Sequence, residues 1–184
     1  LLSPGAYEVN DHPVAFFTPG EADSGTGLES LAEDGNPTLL VEMLNQMMEG
    51  DMMGFMSAIF NTPVGATDPS PVGPGSAYEF TISAHPGQYL TFATMFIQSN
   101  DWFFSPGPDG IALFDADGHP ISGDITDQIF LWDAGTEVNQ TPGEGPDQGP
   151  RQSGPNTGET ENGVVTQVTD FNGYSITVTI TPQQ

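Results

Sequence analysis

Two carboxylates, Asp133 and Glu137, flank a glycine turn that follows the apolar run Ile129-Phe130-Leu131-Trp132, within residues 124–143. The run reads as a strand that delivers both side chains to a loop. Carboxylates held this way around Gly135 repel each other unless a cation or hydrogen-bond donors lie between them. The 184-residue chain has no lysine and a single arginine, Arg151, so it has almost no cation of its own to offer. Two readings are open. In one, a hard divalent cation, Ca²⁺ with oxygen ligands, occupies the loop. In the other, Asp133 caps the turn through its own backbone and Glu137 faces water.

Other chemistry-bearing residues are sparse. His12, His85 and His119 each precede a proline in a turn-like setting, and no Ser/His/Asp arrangement or glycine-rich phosphate motif accompanies them. No catalytic function is expected on that basis. Asp115-Ala116-Asp117-Gly118 lacks the spacing and terminal glutamate of an EF-hand loop, and it reads as an Asp-Gly hairpin turn. The chain has no cysteine, which removes disulfides and thiolate metal sites together.

The formal net charge is −24 although only 14% of residues are charged, so the acidity comes from missing Lys and Arg rather than from an acidic tail. Such a surface repels nucleic acid and anionic membranes, because neither finds neutralising cations on it. Divalent cations are its natural partners, and they would relieve its self-repulsion. No window has the length and apolarity of a membrane span. The chain opens on Leu1 rather than methionine, from which either removal of an upstream signal or pro-segment, or a sequence that starts partway along a longer chain, is expected. An extracellular, saline or calcium-bearing setting is expected.

The elements that position the carboxylates are short. Leu28, Leu31 and Ala32 have the spacing of a brief helix stopped by Gly35. A second helix begins with Asn36 as cap and Pro37 in the first turn. It carries Leu39, Leu40, Met43, Leu44, Met47 and Met48 at helical intervals and ends at Gly50. The methionines continue through Met52, Met53 and Met56; the stripe is read as a helix packed on the sheet rather than a partner-binding surface. Residues 61–76 form a long Pro/Gly/Ser-rich loop.

Strand patterns follow. Tyr78, Phe80 and Ile82 alternate on one face, His85-Pro86-Gly87 turns, and residues 89–97 make a longer, central strand expected to pair antiparallel with the first. Ile111-Ala112-Leu113-Phe114 and its return through His119 make a hairpin. Residues 141–162 have the composition of a disordered segment, and within them Arg151 is expected to have a specific carboxylate partner. Residues 164–168 and the run Tyr174, Ile176, Val178, Ile180 complete the strands. One domain over residues 1–184 is expected, with a helix- and loop-rich part at 1–76 and a β-sandwich core at 77–184. The fold class is mainly β, an antiparallel sandwich with one or two short helices attached.

Ser99-Asn100-Asp101-Trp102-Phe103 and Leu131-Trp132-Asp133-Ala134-Gly135-Thr136-Glu137 resemble the spondin domain, the module of F-spondin and mindin that also occurs in single-domain secreted microbial proteins. The resemblance covers residue 78 to the C-terminus. In the microbial branch it extends over the whole chain, including Phe17-Thr18-Pro19-Gly20, Gly27-Leu28-Glu29, Ala32-Glu33-Asp34-Gly35 and Phe60-Asn61-Thr62-Pro63. It implies a C2-like sandwich with a divalent-cation site at one end. By that resemblance Asp101, Asp133 and Glu137 are the ligands to Ca²⁺ or another divalent cation, and Trp102, Phe103 and Trp132 form the packed wall beneath the metal loops. Glu137 stands where the animal modules have Asp, and their cysteines have no counterpart here.

The function expected from this likeness is that of a secreted, non-enzymatic structural or adhesion protein, calcium-stabilised and partnered by itself, by matrix or by a cell surface. Microbial relatives begin with one strand more than this chain, and its absence would leave a groove that a neighbouring copy fills by strand addition. Self-assembly into an extracellular filament is one expectation. A monomeric, calcium-dependent binding module for cell-surface or glycan ligands is the other.

Overall fold

The most apolar alternating stretch becomes the middle of the molecule. In the computed structural model, which describes residues 1–47, 54–173 and 175–183, this stretch is β3 (Tyr89–Phe96). One side of β3 pairs with β1 (Leu2–Asn10), placing Ala6 opposite Ala93. The other side pairs with β4 (Trp102–Pro106), and the short β5 (Ile111–Ala112) also joins β3. Outside β1 lies β2 (Met56–Phe60); outside β4 lie β7 (Ile129–Asp133) and then β8 (Thr166–Gln167). The main sheet has seven strands, ordered β2-β1-β3-β4-β7-β8 with β5 on β3, all antiparallel. A second small sheet joins β6 (Gly123–Asp124) to β9 (Thr179–Ile180).

Period-two alternation sorts the core into two faces. Leu90, Phe92, Phe96, Phe104 and Leu131 point to one face, where Tyr78, Phe80, Ile82, Val178 and Ile180 cover the sheet. Phe80 stacks on Tyr7 with ring centroids 4.3 Å apart. Ala6, Ala93, Phe103 and Trp132 point the other way, into a cluster with Phe16, Phe17 and the two helices. Phe17 sits 5.2 Å from Phe103 and 4.6 Å from Trp132 by ring centroid. Such aromatic contacts add to plain area burial. The small β6-β9 sheet and the extended segments opposite the helices give the sandwich its second layer.

Both helices form where the spacing placed them. The first, α1 (Leu28–Asp34), buries Leu28, Leu31 and Ala32 and ends at Gly35 in the left-handed conformation, φ 65°. The second, α2 (Thr38–Met47), buries Leu40 and Leu44, and the Asn36 side chain accepts the Thr38 amide at 3.1 Å. Met43 is half-buried and Met47 exposed, so the leucines rather than the methionines dock this helix. Met48, Gly50, Met52, Met53 and Tyr174 lie outside the described residues.

The strand-like run Ala6-Tyr7-Glu8-Val9 lies within β1, which with β2 comes from residues 1–76 and lies inside the sheet. One expectation is corrected. The 78–82 segment does not pair with β3. Tyr78 makes an isolated bridge to Pro63 instead, and β1 takes the place beside β3. The apolar face of the segment is correct, its hydrogen-bonding partner is not. A strand and an extended covering segment share one alternation pattern, so only tertiary pairing separates them.

Candidate cation site

The β4-β7 pairing sets Trp102 opposite Asp133. It thereby brings Asp101, just before β4, against the loop that follows β7. The Ala134 amide donates to the Asp101 carbonyl at 3.1 Å. The Thr136 and Glu137 amides donate to Asp101 Oδ2 at 3.0 and 3.1 Å. Asp133 Oδ1 accepts the Gly135 amide at 2.8 Å, the Asx-type turn that the backbone-capping reading predicts. Gly135 has φ 68°, and a Cβ there would lie 2.7 Å from the Val164 amide nitrogen and carbonyl oxygen. Only glycine satisfies both the left-handed turn and this close crossing of chains.

Glu137 does not face water. It is 3% exposed, Asp101 is 0% and Asp133 9%. Glu137 Oε1 accepts the Gly158 amide at 2.8 Å, and a side chain at Gly158 would run into the Glu137 carboxylate. The residues around 158 thus close over the site. Asp101 Oδ1 and Glu137 Oε2 are both buried without a hydrogen-bond partner. Native interiors rarely leave such acceptors unpaired, and an ion is one explanation when they do.

Electrostatics point the same way. Burial pushes the Asp101 carboxyl up to about 7, helped by the Asp133 charge and opposed by the Glu137 and Thr136 amides. Burial also raises Glu137, against the pull of the Gly158 amide and the Asn100 side chain. A third carboxyl joins them that sequence reasoning did not select. Glu33, in the last turn of α1, is 3% exposed. Burial pushes it up to about 7, opposed by a hydrogen bond from Thr136 and reinforced by the Glu137 charge.

The supporting aromatics divide between the two faces. Phe103 and Trp132 pack beneath the site with Phe17 and the helices. Trp102 lies on the opposite face against Phe171, so it is not part of one common wall. Its indole donates to Asn139 Oδ1 at 2.6 Å, and the Asn139 amide bonds Asp133 Oδ2. Trp102 therefore supports the loop through Asn139, a residue that the sequence did not mark. Asn100 contributes similarly, donating to the Val138 carbonyl and accepting the Gln140 amide.

Arg151 does not neutralise this cluster. Its Nε donates to the Gly145 carbonyl and its guanidinium to Gln148 Oε1, both at 2.8 Å, in place of the expected carboxylate partner. Gln148 is wholly buried and also accepts the Gly143 amide. Within residues 141–162, disordered by composition, such local bonds hold the part from Gly143 to Arg151, and bonds to Asp34 and Glu137 hold Gln152, Asn156 and Gly158.

The oxygens of Asp101, Asp133 and Glu137 do not converge on one point. Among the described residues, the one group of three or more acidic, His or Cys side chains with ligand atoms all within 4.8 Å of one another is Asp115, Asp117 and His119. All three are exposed, and the hairpin already employs them. Asp115 Oδ1 accepts the Asp117 and His119 amides at 2.9 and 2.8 Å. The His119 amide is the chief reason that the Asp115 carboxyl is held below its usual range. That group is explained by its turn. The buried group is not explained by its partners.

Compared with known proteins, the chain matches no family model and no curated relative. Among the described residues no helix is long and apolar enough to cross a membrane.

Proposed function

We propose that this is a secreted, non-enzymatic structural or adhesion protein of spondin type. Ca²⁺ or a similar hard divalent cation at Asp101, Asp133 and Glu137 stabilises its sandwich. The observation that carries this reading is the pair of unpartnered buried oxygens, Asp101 Oδ1 and Glu137 Oε2. They belong to a chain without lysine whose arginine is bound elsewhere. An unsatisfied buried acceptor costs about 1–3 kcal/mol, and more when ionised. A cation that accepts several oxygens at about 2.3–2.6 Å removes that cost from two groups together. Since the oxygens do not meet at one point, binding would turn the Asp133 and Glu137 side chains toward Asp101. The Asn139 bond to Asp133 is the contact it would exchange.

A structural role is favoured over an isolated binding module by the sheet. β2 stands at one end of the strand order and carries the exposed Ile59, where a strand from a neighbouring copy would extend the sheet.

The test is thermal melting and light scattering in CaCl₂ and then in EDTA. At a Ca²⁺ concentration of about 100 times Kd, linkage gives about 2.7 kcal/mol, a Tm rise of roughly 5–10 °C for a domain of this size. Asp101→Asn removes that rise. A wild-type Tm indifferent to millimolar Ca²⁺ refutes the cation, and a monomer at all concentrations refutes assembly.

A further inference from the structure

We infer that two copies of this chain pair through β2 on both sides, antiparallel about a two-fold axis, so that assembly closes as a dimer. The inference rests on the reading of β2 given above and names what meets that strand: the same strand of a second copy. The cation plays no part in it.

The strand order of the main sheet has two ends, and they differ. At β8, the Val168 amide donates to the Leu131 carbonyl of β7 at 2.9 Å. Val165, three residues earlier, turns its peptide groups the opposite way. There its carbonyl accepts the Gly20 amide at 2.8 Å and its amide donates to the Glu21 carbonyl at 2.9 Å, so residues 20–21 cover that end. At the other end all five residues of β2 pair with β1, and among the described residues no backbone group meets their outer side. β5, β6 and β9 have two residues each, too few to carry a new ladder. A head-to-tail row of copies needs two different complementary edges, whereas a single open edge meets itself and closes.

Charge makes this edge the place where a like-charged copy can approach. Two bodies of net charge −24 repel wherever their carboxylates meet, but residues 54–67 contain no Asp, Glu, Lys or Arg. Within them Ile59 is 36% and Val64 63% exposed. Glu8, opposite Ser57, is buried on the inner side, and Asp11 lies at one end of the strand, against Gly54. Parallel pairing would set the two Asp11 side chains together. Antiparallel pairing sends them to opposite ends of the ladder, roughly 15 Å apart or more at about 3.4 Å per residue, beyond the screening length of about 8 Å in physiological salt. A pairing centred on Ala58 also covers each Ile59 with Ser57 of the second copy. Added salt should therefore tighten the dimer, the reverse of a contact made by ion pairs.

Light scattering on the purified chain over a range of concentrations and salt, with single-cysteine crosslinking beside it, is the decisive experiment. The chain has no cysteine of its own, so a disulfide reports only the introduced residue. Wild type should reach the mass of two chains and no more, and Ile59→Asp should weaken the dimer at least tenfold. Two-fold pairing sets one residue of β2 directly opposite its own copy, about 4.5–5.5 Å away and within disulfide reach. Oxidation of Ser57→Cys, Ala58→Cys or Ile59→Cys should therefore link two copies through at least one of these positions, while Val164→Cys beside β8 stays unlinked. A wild type that is monomeric at all concentrations overturns this inference together with assembly. Masses beyond two chains, linking through V164C, or no link through any of the three β2 positions overturn the β2 pair alone and leave assembly standing. Should I59D not fold, the cysteine variants decide.

Discussion

Replacing Glu8 by glutamine should stabilise the protein at pH 8 and do nothing at pH 4.5. Glu8 sits in β1 between Ser57 of β2 and Thr91 of β3, on the helix-facing side with Ala6. It is 1% exposed and its Oε2 has no partner. Burial pushes its carboxyl from the ordinary 4.5 up to about 7, with the Asn10 side chain pulling partly the other way. A raised folded-state value means that the native chain holds a proton which the unfolded chain has released. The contribution of Glu8 is therefore fully present below about 4.5 and is lost as pH climbs through about 7. At about 1.4 kcal/mol per pH unit, the whole loss is roughly 3 kcal/mol, an upper figure. Glutamine keeps the shape of the protonated acid and does not titrate. The difference between E8Q and wild type should grow from near zero at pH 4.5 to roughly 2–3 kcal/mol at pH 8, or a Tm gain of roughly 5–10 °C. Urea unfolding across that range at fixed Ca²⁺ measures it directly. Glu33 and Asp101 titrate in the same window, but both proteins carry them, so they leave the difference. A gap that does not change with pH, or an E8Q less stable than wild type at pH 8, refutes the reasoning.

Two further outcomes are expected beside those attached to the cation site. Gly135→Ala should lower stability by roughly 1–3 kcal/mol, because alanine must adopt a left-handed φ while its methyl presses on Val164; an unchanged denaturation midpoint would contradict it. The double substitution Asp115→Asn with Asp117→Asn should leave the Ca²⁺-induced rise in Tm intact. Its loss would transfer the cation to the exposed hairpin.

Legibility in the sequence followed the range of each signal. Local rules located α1 from Leu28, Leu31 and Gly35, α2 from Asn36 and Pro37, and the Asp115 hairpin, because each is decided within a few residues. The same holds for the turn at Asp133, where the backbone-capping reading is correct in its geometry. Glu137 was misjudged by that reading because its burial depends on Gly158, far along the chain. Glu33 lies in a segment of the resemblance, Ala32-Glu33-Asp34-Gly35, but was not marked as a site residue, since helical spacing from Leu28, Leu31 and Ala32 does not signal its burial. The partner of Arg151 was misassigned because charge complementarity was taken to outweigh two nearby neutral acceptors, Gly145 and Gln148. Pairing of β1 with β3 was hidden for a different reason. Alternation states which face a strand buries but not its neighbour, and the nearest pattern in sequence, at 78–82, was the wrong one.

The strand order has a kinetic consequence. β1 lies between two strands that come much later in the chain, with Ala6 facing Ile59 on one side and Ala93 on the other. Neither flank can close until long loops have been drawn together, so the folding rate should be governed by non-local contacts and be slow for the size of the chain. α1, α2, the β3-β4 pair and the Asp115 hairpin can begin locally, but none of them includes β1. Until β3 is made, the central sheet cannot assemble around it. The same delay leaves the edges of β1 open to other chains for as long as it lasts.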